Sequence, residues 1–174
     1  MNADSTEDCA ATWADVRAGD AAAFARWVRD HQRMVYSLGL RMLRNREAAE
    51  DLTQEVFMQL HERIGTLDTG THARHWLRRV AMHRAIDQLR RRPPASTGDD
   101  VLSLVDERDA VDHLLANRLR VLVGELPPHP RAVVVLRYQE DLDPAEICQL
   151  LEMPLNTVKS HLRRALEVLR ERLS

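Results

Sequence analysis

The chain has 174 residues, 44% of them hydrophobic and 30% charged, enough to bury either one ordinary core or two small helical ones. Six glycines, 4% aromatics and an abundance of Leu, Ala, Arg and Glu exclude a strand-rich architecture and favour helix nearly everywhere, so the fold class is read as all-α. A net charge of −2 excludes a uniformly basic nucleic-acid binder, which leaves the placement of charge to carry the information.

In chain order, residues 1–9 read as a disordered tail. Apolar residues then recur at helical spacing over Ala10 to Ala18, Ala21 to Leu43, Arg46 to Ile64 and His72 to Arg91. The third of these segments buries Ala49, Leu52, Val56, Leu60 and Ile64 along one stripe, which turns Glu47, Glu50, Asp51, Gln54, Glu55 and Met58 outward. Between Arg74 and Arg92 seven arginines face one acid, Asp87. Arginines on a polar helix face can hold phosphates, and the loop from Gly65 to His75 is expected to cradle an unstacked base. Trp76, beside Leu77, Val80 and Ala81, is expected in the core rather than as a stacking platform.

Arg92-Pro93-Pro94-Ala95-Ser96-Thr97-Gly98-Asp99-Asp100 can neither continue a helix nor build a core, so the domain boundary is placed there. The acidic stretch that follows, with Asp106, Glu107, Asp109 and Asp112, completes a flexible linker over 93–112. Four more helical segments follow: Val111 to Leu126, His129 to Gln139, Pro144 to Leu151 and Pro154 to Leu173. Asp143 caps the third, with Pro144 at its first position and Glu146 reaching back. Glu152 and Met153 form a turn, and Val158, Leu162, Leu166 and Leu169 of the last segment face inward, which makes a helix-turn-helix. Its outward face carries Thr157, Lys159, Ser160, Arg163 and Arg164, where a recognition helix presents groups to base edges in the major groove.

The two cysteines, Cys9 and Cys148, are far apart and match no metal-ligand spacing, which suits a reducing compartment. No apolar run reaches membrane-spanning length, and Met1-Asn2-Ala3-Asp4 lacks the basic-then-apolar layout of a signal peptide, so a cytoplasmic protein without membrane contact is expected. His72, His75 and His83 share no ligand face and no nucleophile motif accompanies them, so neither catalysis, a metal nor a cofactor is expected.

The stretch Leu126-Pro127-Pro128-His129-Pro130-Arg131-Ala132-Val133-Val134-Val135-Leu136-Arg137-Tyr138, with Asp143-Pro144-Ala145-Glu146-Ile147 and Asn156-Thr157-Val158-Lys159-Ser160-His161-Leu162-Arg163-Arg164, resembles the C-terminal domain of extracytoplasmic-function (ECF) sigma factors. Arg41 to Phe57, with its run Ala48-Ala49-Glu50-Asp51-Leu52-Thr53-Gln54-Glu55-Val56-Phe57, and His75 to Arg92 resemble that family's polymerase-docking and promoter-melting helices. The resemblance spans residues 10 to 173 and implies a sigma N-terminal domain over 10–92, a linker over 93–112 and a sigma C-terminal domain over 113–174. It implies that Asp51, Gln54 and Glu55 bind core RNA polymerase at the clamp helices of its largest subunit. Arg79, His83, Arg84, Arg90 and Arg91 would then contact the minus-ten element, duplex and melted, and Thr157, Lys159, Ser160, Arg163 and Arg164 the minus-thirty-five element. An anti-sigma factor is a further implied partner.

The chain departs from the family pattern at Glu152 and Asn156, where glycine is common, at His83, where asparagine is common, and at Ala73, where a large aromatic is common. A left-handed turn at Glu152 would be strained, and the turn is expected to be distorted there. The competing reading is a stand-alone helix-turn-helix regulator of the response-regulator output type, which shares the pattern Thr157 to Leu162 but has no use for Asp51, Gln54 and Glu55.

Overall fold

The computed structural model describes residues 13–91 and 110–173, all helix, turn or loop, with no strand among the described residues. After a helical turn at 13–17 come α1 (Ala21–Leu43), α2 (Arg46–Arg63), a 3-10 turn (Ile64–Thr66) and α3 (Gly70–Arg91). The C-terminal half holds α4 (Ala110–Glu125), α5 (Pro128–Tyr138), α6 (Pro144–Leu151) and α7 (Leu155–Leu173). The proposed tail and most of the linker lie outside the described residues, while 110–112 already belong to α4.

Local chemistry sets the boundaries. Asp20 caps α1 by accepting from the amides of Ala22 and Ala23, and Asn45 caps α2 by accepting from Ala48. Between them Arg44 takes the left-handed conformation, φ 53, and its amide closes α1 on the Leu40 carbonyl. One expectation is corrected: there is no open loop from Gly65 to His75, because α3 begins at Gly70. The Thr69 side chain accepts from the His72 amide at 3.1 Å and its carbonyl from the Ala73 amide at 2.9 Å, so the helix starts two residues ahead of the expected segment from His72. Only Leu67, Asp68 and Thr69 separate the 3-10 turn from α3.

The N-terminal half packs Trp27, Val35, Leu38 and Met42 of α1 against Leu52, Val56 and Leu60 of α2 and Leu77, Ala81, Met82 and Ala85 of α3, all buried. Small residues let α1 and α2 close up: a side-chain carbon on Gly39 would lie 3.3 Å from Leu52 and 3.4 Å from the Ala49 backbone. Trp13 seals one end, its ring 4.9 Å from that of Trp27 and its Nε1 donating to the Leu67 carbonyl at 2.9 Å. Trp76 is half-buried against this core, as its apolar neighbours imply.

The C-terminal half buries Val133, Leu136, Ile147, Leu150 and Val158, and a satellite cluster of Leu126, Val134, Ala165 and Leu169 joins α5 to α7. The first group is continuous with the N-terminal core, so the two halves pack on one another. Arg131, 8% exposed, bridges them. Its guanidinium donates to the Met42 carbonyl at 2.5 Å, to Leu126 at 2.9 Å and to Gly124. Met42 and Gly124 lie in the last turns of α1 and α4, so one cation serves two helix C-termini. Burial first, and Arg44 second, lower its pKa to about 10, which leaves it charged at neutral pH.

Candidate functional site

On α2 the buried stripe holds Ala49, Leu52, Val56 and Leu60 as expected, with Ile64 half-buried in the 3-10 turn. Asp51, Gln54 and Glu55 are therefore exposed, and Met58, 67% exposed, extends the face with an apolar tip. An acidic face with an exposed methionine suits a partner surface that mixes basic and apolar groups. Glu55 is already engaged within the chain, accepting from Arg84 of α3 at 2.5 Å.

The five α3 residues expected at the minus-ten element do not form one open basic face. Arg90 and Arg91 are exposed in the last turn. Arg84 is half-buried against Glu55, and Arg79 is paired with Glu152 from the C-terminal half. His83 is half-buried, its Nε2 3.1 Å from the Leu150 carbonyl, and because a carbonyl only accepts, that nitrogen carries the proton. Sequence reasoning missed Arg78, which binds Glu140 at 2.6 Å with both side chains largely covered. Nothing local to either residue signals a pair 62 positions apart. Asp51, Glu55, Arg79, His83, Arg84 and Glu152 line a crevice of about 710 Å³ where α2, α3 and the end of α6 meet.

The helix-turn-helix follows from its caps. The Asp143 side chain accepts from Ala145 and Glu146, and the Glu146 carboxylate returns to the Asp143 amide at 2.7 Å. Glu152 ends α6 at φ 54, ψ 41 with its amide on the Cys148 carbonyl, so the turn keeps the left-handed form that glycine usually supplies and is not distorted. The strain falls on Glu152 itself. On α7, Val158, Ala165 and Leu169 are buried and Leu162 and Leu166 half-buried. Lys159, Arg163 and Arg164 are exposed, Thr157 and Ser160 half-buried, and all five lie in the N-terminal half of the helix. The structure thus brings these five together on one accessible face, with Arg163 3.8 Å from Glu167 one turn on.

Behind that face His161 stacks near-parallel to His129 of α5, ring centroids 6.2 Å apart. The pKa of each is lowered chiefly by burial; Arg90 and His83 lower that of His129 further, and His129 and Arg164 that of His161, against a weak opposing pull from Asp87 on His129. His31, stacked on Trp27 at 3.9 Å, is lowered mainly by burial too. A base whose folded pKa lies below its unfolded value leaves the unfolded state holding more protons as pH falls through about 6.5, so folding stability drops in that direction. The melting temperature is expected to fall between pH 7.5 and 5.5. In His129→Gln and His161→Gln the slope should be shallower, which thermal scans at matched ionic strength would read.

Among the described residues no group of three His, Cys, Asp or Glu side chains could hold a metal ion, and no helix is long and apolar enough to cross a membrane. Cys148 is a half-buried free thiol on α6.

Residues 27–93 match Sigma-70 region 2 and residues 116–169 match Sigma-70 region 4. The chain is 33% identical over 173 residues to the ECF RNA polymerase sigma factor SigW of Bacillus subtilis, across 91% of this chain and 92% of that protein. It is also 33% identical over 171 residues to the ECF sigma factor SigE of Mycolicibacterium smegmatis, across 90% and 65% of the two chains. Its fold is similar to that of CnrH in complex with the cytosolic domain of CnrY, with TM-score 0.68 and 19% identity over 92% of this chain and 93% of that one. RpoE of Bartonella quintana, solved with the anti-sigma factor NepR, gives TM-score 0.63 and 17% identity over 86% and 96%. With both sigma regions in order, an exposed acidic α2 and a capped helix-turn-helix, the chain belongs to the ECF family of RNA polymerase sigma factors, which direct promoter-specific transcription initiation.

Proposed function

We propose that residues 10–92 dock core RNA polymerase and open the promoter, that 93–112 connect, and that 113–174 read the upstream element. In this reading Asp51, Gln54 and Glu55 meet basic groups on the clamp helices of the largest subunit. Arg79, His83, Arg84, Arg90 and Arg91 take the minus-ten region, and Thr157, Lys159, Ser160, Arg163 and Arg164 take the minus-thirty-five major groove. The observation that carries it is the separation of two chemistries: an exposed acidic face on α2, and an exposed basic face on the first turns of α7. The protein acts in the cytoplasm, catalyses nothing and binds no cofactor. An anti-sigma partner is supported by the RpoE neighbour, which was solved with one.

Promoter-directed run-off transcription with purified core polymerase tests the reading. Discrete protein-dependent transcripts are expected from genomic fragments, and Gln54→Ala with Glu55→Ala should lower the affinity for core enzyme roughly tenfold without changing the fold, since both side chains are exposed. No transcripts, together with tight duplex binding in the absence of polymerase, would instead favour a stand-alone regulator. That alternative leaves the match of residues 27–93 to region 2 without a purpose.

A further inference from the structure

Where the end of α1 meets α4, arginines face arginines. Gly124 leaves room for the approach: a side-chain carbon there would fall 2.7 Å from Arg44 Nη1 and 2.8 Å from its Nε, so the Arg44 guanidinium rests on the Gly124 backbone. Arg131 reaches the same residue, donating to the Gly124 carbonyl. One turn back along each helix stand Arg41 and Arg120, both exposed. Partial burial lowers the pKa of Arg41, Glu140 opposes that, and Arg120 lowers it further, which places the two cations near one another. The seam thus carries two rungs of like charge, Arg44 with Arg131 and Arg41 with Arg120, separated by one helical turn of about 5.4 Å.

The carboxylates nearest to these rungs are engaged elsewhere. Glu140 holds Arg78 at 2.6 Å, and Glu125, next to Gly124, is paired with Arg172 of α7. Arg120 donates to the Asn117 side chain at 2.7 Å, while the guanidinium groups of Arg41 and Arg44 have no ion pair or hydrogen bond among the described residues. Like charges gathered by packing repel unless a counter-charge joins them. The negative ends of α1 and α4 would oppose an anion, but the Arg131 guanidinium satisfies the Met42 and Gly124 carbonyls there.

We propose that this seam binds a diphosphate group, with Arg41, Arg44 and Arg120 as its donors and Arg131 as the fixed charge behind them. A guanidinium presents paired N–H groups that match phosphate oxygens. Two linked phosphoryl groups engage both rungs at once, whereas an orthophosphate ion engages one. The recognised chemistry is the pyrophosphate unit, free or carried by a nucleoside. None of the residues assigned above to polymerase or promoter takes part, so the site is independent of that reading. A bound diphosphate joins α1 to α4 and stabilises the folded chain by mass action.

The test is calorimetric titration of the full-length protein with inorganic pyrophosphate, orthophosphate and ADP, at constant ionic strength and without divalent cations. Pyrophosphate is expected to saturate one site and to bind at least about tenfold more tightly than orthophosphate, since it gains a second set of charged hydrogen bonds. Arg44→Gln and Arg120→Gln should each weaken pyrophosphate about tenfold, while Arg163→Gln, the same loss of charge on α7, should not. Gly124→Ala keeps every charge but displaces Arg44 from its seat, and should weaken pyrophosphate as Arg44→Gln does. ADP that matches pyrophosphate would make the diphosphate the whole of the recognised group, and tighter ADP would extend the site to the nucleoside. Failure to saturate, equal affinity for orthophosphate, or equal losses in Arg163→Gln and Arg44→Gln would overturn the proposal. So would an Arg44→Gln variant that loses affinity for promoter-free duplex as strongly as for pyrophosphate, which would make the seam a contact for nucleic-acid backbone instead.

Discussion

Replacing Arg131 by methionine is expected to destabilise the folded chain by about 2–4 kcal/mol, read as a lower urea midpoint at unchanged slope. Methionine keeps most of the aliphatic packing, so the loss is that of the guanidinium. Three main-chain carbonyls, those of Met42, Gly124 and Leu126, would lose a charged donor in a place where water does not readily replace it. The gain from no longer burying a cation offsets part of this, which is why the estimate stays below the sum of three charged hydrogen bonds. Since Met42 lies in the N-terminal half and Gly124 and Leu126 in the C-terminal half, Arg131→Met should also loosen the join between them. Amide exchange in the last turn of α1 would accelerate even where α1 itself stays folded.

The second large effect is expected in DNA recognition. Arg163→Ala combined with Arg164→Ala should reduce discrimination between the correct upstream element and a scrambled one on the order of 100-fold, since each good bidentate base contact contributes about 1–3 kcal/mol. Both side chains are exposed on α7 and only Arg163 has an intrahelical partner, Glu167, so circular dichroism should be unchanged. The salt dependence of binding separates two roles. An arginine that reads a base loses sequence preference when removed, whereas one that only neutralises phosphate weakens all sequences alike and lowers the salt slope by about one. A double variant with full discrimination would move the reading residues to Thr157, Lys159 and Ser160.

Much of this architecture was legible because its punctuation is local. Asp20, Asn45 and Asp143 each stand one residue before a helix and each caps it, and the stripe through Ala49, Leu52, Val56 and Leu60 fixes which side of α2 faces outward. The start of α3 was misjudged for an equally local reason: Thr69 is a good cap, but Gly70 follows it, and glycine at a helix start looks like a loop. What the chain conceals is its long-range pairing. Arg79 and His83 look like free nucleic-acid contacts on a basic helix, and only the packed halves reveal Glu152 and Leu150 opposite them. Arg131 is equally opaque, since an arginine in an apolar run gives no hint that the carbonyls it will satisfy include one 89 residues away.

The tryptophans give the molecule an unplanned optical asymmetry. All three, Trp13, Trp27 and Trp76, belong to the N-terminal half, and the first two lie against each other with His31 stacked on Trp27. Indole emission is therefore a private reporter of that half, sensitive to its packing and to the protonation of His31, while α5 to α7 contribute no indole signal at all. Emission and helical ellipticity that change together would then mark the two halves as one cooperative unit. Emission that lags or leads would resolve the moment at which they part.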